Sequence, residues 1–314
     1  MFKMTKKTVA VFVTTLMVLS FGFIFTGQQV QAGGQDTYTV EHAMGKTEIS
    51  GTPEKVVVLT NGASDIVLAL GVTPVGAVKH WLGDPWYEYL SDDMKDVTVL
   101  GQETQPNLEK IIALQPDLII GSKLRHEKIY KQLSMIAPTV FSETVGTTWK
   151  ENTLLYAKAL NREDKGRELI DNWNERVNTF KEEMGDRLST KVSIVRFLPG
   201  QVRIYHKGFP GSIIKEVGLD RPENQQKDMV VEMITKERIP EVDGDILFYL
   251  TYDKGDGKGI AVEKEWISDP LWKNLEVVKE GNVHKVSDVF WNTAGGIQAA
   301  NNMLDDLYKI FLDK

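Results

Sequence analysis

The chain has 314 residues, a formal net charge of −7, 42% hydrophobic residues and no cysteine. A chain of this length supports two lobes, each with its own core. The missing cysteines exclude disulfides, thiolate metal sites and cysteine nucleophiles, and the acidic balance argues against nucleic acid as the main partner.

In chain order, residues 1–32 read as an export signal. Lys3, Lys6 and Lys7 give a basic start, Val9 to Phe25 is an almost uncharged apolar run, and Val30-Gln31-Ala32 has the small residues of a cleavage site. A membrane anchor competes with this reading, because the run approaches spanning length. The basic start and the cleavage-like end favour removal, which would leave the remainder more acidic. Tyr38 to Val40 and Thr47 to Ile49 then flank Met44-Gly45 as a predicted hairpin. Val56 to Leu59 predicts a buried strand, Asp65 to Leu70 a helix stopped by Gly71, and Val75 to Val78 the next strand. Strands alternating with helices predict an α/β fold with a parallel sheet.

An internal echo follows. Glu109-Lys-Ile-Ile-Ala-Leu-Gln-Pro-Asp-Leu-Ile-Ile120 aligns without a gap on Glu237-Arg-Ile-Pro-Glu-Val-Asp-Gly-Asp-Ile-Leu-Phe248. Two copies so far apart are no solenoid period and predict two similar lobes; the competing reading is chance likeness of helix-turn-strand units. Between the copies, Leu169, Ile170, Trp173, Val177, Phe180 and Met184 recur at helical spacing. A helix from Glu163 to Met184 would run about 33 Å. Without a Pro/Gly hinge it reads as a stiff connector, against the alternative of a core helix within one domain. The expected organisation is a signal (1–32), an N-terminal lobe (36–162), a connecting helix (163–187) and a C-terminal lobe (188–314).

Motifs for catalysis are scarce. There is no Walker loop and no Gly-x-Ser-x-Gly elbow. His126-Glu127 begins like a zinc-protease motif, but Tyr130 stands where the second His is required. The stretch from Asp253 to Gly259 resembles a calcium loop, yet Gly255 and Lys264 occupy ligand positions, so it reads as a mobile loop tip. His42, His80, His126, His206 and His284 show no paired spacing and read as structural. No intrinsic cofactor and no direct metal site are expected.

Binding candidates are clearer. In the stretch from Val192 to Tyr205, Arg196 interrupts an apolar run and Arg203 follows a Pro199-Gly200 turn. Arginine is a permanent cation, and an unpaired buried charge is costly. Arg125 follows the strand predicted at Leu118 to Ile120, so it comes from the other lobe. Trp81, Trp86 and Tyr87 follow one predicted strand, Tyr249 and Tyr252 another, and Trp291 a third. Ligands of open α/β sheets sit beyond the carboxyl ends of strands. Trp173 and Trp272 read as core, whereas Trp291 reads as binding, beside a helix start at Gly295-Gly296 that would favour an anion. Tyr205 and His206 add hydrogen-bonding capacity next to Arg203. Three cations among aromatics suit a bulky, polar anion; for each arginine alone, a local ion pair is the alternative.

The Asn107 to Ile120 stretch, Gly-Ser-Lys-Leu-Arg-His-Glu-Lys-Ile-Tyr130, Val-Ser-Ile-Val-Arg-Phe197 with Arg-Ile-Tyr205, and Trp-Asn-Thr-Ala-Gly-Gly296 together resemble the substrate-binding proteins of ferric-siderophore ABC importers. The wider family includes cobalamin and haem binders. The resemblance implies the class III periplasmic-binding-protein fold: α/β, with two Rossmann-like lobes joined by one long α-helix and little closure on binding. It implies a monomer that captures a ferric siderophore, hydroxamate or citrate-based, with the siderophore holding the iron, and delivers it to a permease dimer. Docking would use one surface Glu per lobe, Glu109 and Glu237. The ligand-binding set is then Arg125, Arg196, Arg203, Tyr205, His206, Trp291, Trp86 and Tyr252. Abundant arginine leans towards citrate-bearing siderophores. A haem binder of the same fold is the first alternative, with Tyr205 or His206 as axial ligand, and a cobalamin binder is another. A secreted siderophore-processing hydrolase is the third, and the absent nucleophile elbow counts against it. Gram-positive relatives are usually lipoproteins. Ile24-Phe-Thr-Gly27 looks like their anchoring box, but Gln28 holds the Cys place. The expectation is export, to the cell surface or periplasm, without a lipid anchor.

Overall fold

Val56, Val57 and Val58 are fully buried, as β-branched residues are in a strand covered on both faces. In the computed structural model, which describes residues 36–313, they form strand β3 of a six-stranded sheet. Its order is β6 (Gln105–Pro106), β5 (Thr98–Gln102), β4 (Gly76–Lys79), β3 (Val56–Val58), β7 (Leu118–Ser122) and β8 (Thr139–Ser142). All pairings are parallel except the short edge pair β5–β6. A hairpin of β1 (Thr37–His42) and β2 (Gly45–Ser50) precedes it, with Tyr38 opposite Ile49. The expected signal at 1–32 lies outside the described residues, among which no helix is long and apolar enough to cross a membrane.

The second sheet has the order β11 (Val231–Ile234), β10 (Gln201–Tyr205), β9 (Val192–Leu198), β12 (Ile246–Thr251) and β13 (Val283–Lys285). It is mixed rather than parallel. β9 pairs parallel with β12, but β10 folds straight back on β9, because Pro199-Gly200 is a two-residue turn and a parallel return needs a long crossover. Gly200 sits at φ 75°, a conformation glycine adopts without steric cost.

The sequence echo has a structural counterpart. Glu109 and Glu237 are exposed, while Ile111 and Ile239, two places on, are fully buried. Asp117 and Asp245 then perform one task in the two sheets. The Asp117 carboxylate accepts the Lys55 backbone N–H at the entry to β3, and that of Asp245 accepts the Lys191 N–H at the entry to β9. Each aspartate also returns its own N–H to the same residue's carbonyl, at 3.0 and 2.9 Å. The copies differ in between: the first has an α-helix, Leu108–Leu114, and the second a 3₁₀ helix, Lys236–Val242, since Pro240 removes a donor.

Between the two sheets in sequence runs the helix Glu163–Met184, 22 residues long. Ile170, Trp173, Val177, Phe180 and Met184 are buried along one face and Leu169 partly so, as the spacing predicts. Gly166 lets it approach the helix Trp149–Ala159, where a Cβ would lie 2.4 Å from that of Ala157. Arg176 ties it to the last helix, Ile297–Leu312, through Asn301 and Asp305. Both sheets and these helices belong to one compact unit, residues 35–314.

Candidate functional site

A cavity of about 550 Å³ opens between the sheets. Its wall is built from residues at or beyond the carboxyl ends of strands: Asn61 and Trp81 after β3 and β4, Arg125 after β7, and Tyr252 after β12. This is the crevice where open α/β sheets hold ligands. Arg125, Arg196, Arg203, Tyr205 and Tyr252 all contribute to it.

Arg196 and Arg203 stand directly opposite each other on β9 and β10, so their side chains leave the same face of the sheet. Like charges in that register repel, and the protein neutralises one of them. Arg196 donates Nε to Asp288 Oδ2 at 2.6 Å and Nη2 to Oδ1 at 2.9 Å, a bidentate pair. Its Nη1 donates to the Tyr205 hydroxyl at 3.0 Å, and the Tyr252 ring lies 5.0 Å from its guanidinium carbon. Burial presses this guanidinium towards neutrality, but the Asp288 charge and the Tyr205 hydroxyl outweigh it and hold its pKa above the ordinary value. The same burial lifts Asp288 above the usual carboxylate range against the pull of Arg196; the two-bond geometry keeps the pair ionised. Arg203 has no such partner. Half-buried in the wall, it donates only to Gln201 Oε1 at 3.3 Å and forms no ion pair among the described residues.

The opposite wall is built on Glu103, which is buried and lines the cavity. Its Oε2 accepts the backbone N–H and the side-chain amide of Asn61, at 2.9 and 2.6 Å. Its Oε1 accepts Nε of Arg125 at 2.9 Å. That bond fixes the Arg125 guanidinium and leaves its two terminal nitrogens without hydrogen bonds among the described residues. Asn61 Oδ1 in turn accepts the Trp81 backbone N–H and the Tyr87 hydroxyl, so the whole wall is one network.

Three expected ligand contacts fall elsewhere. Trp291 is completely buried, donates Nε1 to Asp306 at 2.7 Å and packs on Phe248, because its π-helical turn rotates the ring inwards. Trp86 is buried edge-on against His80. His206 points to the far side of β10 from Tyr205, since neighbouring strand residues alternate. It bonds the Gln225 carbonyl and Glu232, which removes it as an axial haem ligand. The helix start after Gly295-Gly296 does hold an anion, but an internal one, the buried Asp65 carboxylate. The Asp253 loop is not a loose tip: its carboxylate accepts N–H groups from Gly255, Gly257, Gly259 and Ile260.

Several cavity residues escape the sequence reading. Glu103, Asn61 and the loop Thr144–Thr147 carry no motif, although each follows a strand end, which is the available signal. Trp81 is the aromatic after β4 that faces the cavity, where Trp86 does not. The turn Asn292–Gly295 brings backbone into the wall beside Gly62 and Gly146; a Cβ on Gly62 would lie 3.0 Å from the Gly295 carbonyl oxygen. Among the described residues no cluster of three or more His, Asp or Glu is placed to hold a metal ion.

Residues 56–288 match the periplasmic binding protein family, and the chain belongs to that family. It is 49% identical to "Probable siderophore-binding lipoprotein YfiY" of Bacillus subtilis (strain 168), over 96% of both chains. It is 33% identical to "Fe(3+)-citrate-binding protein YfmC" of the same organism, over 89% of this chain and 88% of the relative. Among solved structures, Staphylococcus aureus SirA complexed with staphyloferrin B superposes with a TM-score of 0.82 at 39% identity, covering 87% of this chain and 98% of SirA.

Proposed function

We propose that this member of the periplasmic binding protein family captures a ferric siderophore in the cavity between its lobes and delivers it to an ABC importer permease. The observation that carries the reading is Arg203, a permanent cation set in the cavity wall opposite an already neutralised arginine and without an ion pair among the described residues. Across the cavity Arg125 is itself ion-paired to Glu103, so its open terminal nitrogens offer hydrogen bonds rather than a net charge. The arrangement calls for a ligand with negative charge towards Arg203 and further acceptor oxygens towards Arg125. Citrate-bearing siderophores have that character. The siderophore supplies the iron ligands, and the protein supplies charge, hydrogen bonds and the Trp81 and Tyr252 faces.

The relatives support this reading through their names: a siderophore-binding lipoprotein, an Fe(3+)-citrate-binding protein and a staphyloferrin B complex. We assign no catalytic step to the chain. We read residues 36–162 and 188–314 as the two lobes, 163–187 as their connector and 1–32 as an export signal, which places a monomer outside the cytoplasmic membrane. The sequence has no cysteine, so it offers no thiol for the lipid that the YfiY name implies. Delivery would use Glu109 and Glu237 against the two permease subunits.

Intrinsic tryptophan fluorescence, titrated with a panel of ferric siderophores, tests the binding reading. Saturable quenching by carboxylate-bearing chelates is expected. Failure of every ferric siderophore to quench or bind would overturn it.

A further inference from the structure

Lys254 lies two residues beyond Tyr252, which lines the cavity at the end of β12. It is exposed and makes no ion pair among the described residues. Its ammonium rests instead on two rings, 5.8 Å from the Trp81 centroid and 5.7 Å from that of Tyr252. Trp81 follows β4 of the first sheet and Tyr252 follows β12 of the second, and the Tyr252 hydroxyl donates to the Trp81 carbonyl at 3.3 Å. Both rings line the cavity. The base of the lysine is fixed, because Asp253 beside it gathers four backbone N–H groups of the following turn. An exposed cation on a fixed base is therefore held beside two cavity-lining rings by weak forces.

We propose that Lys254 is a ligand-binding residue that leaves the faces of Trp81 and Tyr252 to engage a carboxylate of the incoming chelate. A cation over an exposed ring is held loosely, and a charge-assisted hydrogen bond to a carboxylate is stronger. The exchange favours an anionic ligand and gives nothing to a neutral one of similar size. Lys254 thereby adds a second unpaired positive charge to that of Arg203, beside the hydrogen-bond donors of the Glu103-paired Arg125, and it selects for carboxylate content. This rests on the siderophore-binding reading above.

The test has one arm that needs no ligand. Of the seven tryptophans, Trp81 alone is not buried, so collisional quenchers report chiefly on it. Lys254→Met keeps length and removes charge. It is expected to lower quenching by iodide, an anion drawn to the ammonium, and to leave quenching by neutral acrylamide unchanged. Lys258→Met on the same turn, where Lys258 pairs with Asp256, is the control. In the second arm, ferric citrate and an uncharged ferric trihydroxamate are the reference pair among the chelates that bind the wild type. Lys254→Met should weaken carboxylate-bearing chelates about tenfold and the trihydroxamate not at all. Unchanged iodide quenching would overturn the placement of Lys254 on Trp81. Equal losses for charged and uncharged chelates, or no loss for either, would overturn its role towards carboxylates. An iodide contrast in a protein that binds no ferric chelate would sink the siderophore reading itself, and the ligand role with it, leaving only the contact.

Discussion

The Asp65 carboxylate accepts the backbone N–H of Gln298 at 2.8 Å, capping the last helix of the chain with an acid from the first lobe. Ala299 donates to its second oxygen at 3.0 Å, the Tyr89 hydroxyl donates to the same oxygen, and the Gln298 amide reaches back to the Asp65 carbonyl. The lobes are thus joined by a buried cap as well as by the long helix. Burial pushes Asp65 up to about 6, and the hydrogen bonds from Tyr89, Gln298 and Ala299 keep it from rising further.

That shift has a sign that can be tested. The folded state holds the Asp65 proton more tightly than the unfolded chain does. Its stabilising contribution is complete below about pH 4 and is lost as pH rises through about 6. Relative to Asp65→Asn, which carries no titrating group, the wild type should therefore lose about 2 kcal/mol between about pH 4.5 and pH 7.5. Urea melts of both proteins at pH 4.5 and pH 7.5 give the comparison. A stability difference that does not move with pH would count against a proton-holding Asp65.

The same cap depends on Gly296. A Cβ there would lie 2.2 Å from Asp65 Oδ1 and 2.6 Å from its Cγ, so the helix start and the acid cannot both stay in place. Gly296→Ala should cost at least the worth of a cap, about 1–2 kcal/mol. In the Asp65→Ala background the same change should cost much less, because the obstruction is gone. Additive losses in the double variant would show that Gly296 matters for some other reason.

Arg196 is expected to behave as a structural residue that also faces the cavity. Arg196→Ala would leave Asp288 buried without its counter-charge, at a cost of about 3–5 kcal/mol. Changing both to Met and Leu removes the charge problem and should recover much of that loss. Chemical denaturation of the single and paired variants checks this, and a single variant as stable as the wild type would contradict it.

Much of this architecture was legible because periodicity survives tertiary packing. The run from Leu169 to Met184 marks the buried face of the helix Glu163–Met184, and the Glu-base-Ile echo marks equivalent units in both lobes. Pairing was not legible. Nothing near Arg196 in sequence announces Asp288, and Trp291 looks like a cleft aromatic until its π-helical turn directs it towards Asp306. Glu103 was missed for the same reason: a buried acid acquires meaning only from Arg125 and Asn61, which the fold brings to it. Position after a strand end finds the neighbourhood of the site, but side-chain direction decides membership.

Arg203→Ala should separate binding from folding. The side chain forms no ion pair among the described residues, so its loss leaves no buried charge behind, and the melting behaviour should match the wild type. Affinity for a carboxylate-bearing ferric siderophore should fall by about 1.5–3 kcal/mol, the range for hydrogen bonds to charged groups. Fluorescence titration beside a urea melt reads both quantities. Wild-type affinity in this variant would mean that Arg203 does not meet the ligand.

Docking is a separate matter from capture, and the paired acids allow the two to be told apart. Glu109 and Glu237 are exposed and occupy matched places, each two residues before a buried isoleucine and eight before the aspartate that pins a strand entry. Neither lines the cavity. Glu109→Ala and Glu237→Ala should therefore leave siderophore affinity unchanged while lowering uptake through the importer. Rim charges chiefly set encounter rate and orientation, so each single loss should be partial. The double variant should fall further, because the proposed docking sets one lobe on each of two permease subunits. Uptake of labelled ferric siderophore by cells carrying each variant, set beside the affinity of the purified protein, decides the matter. Wild-type uptake in the double variant would reduce the paired acids to a repeat of the fold with no part in delivery.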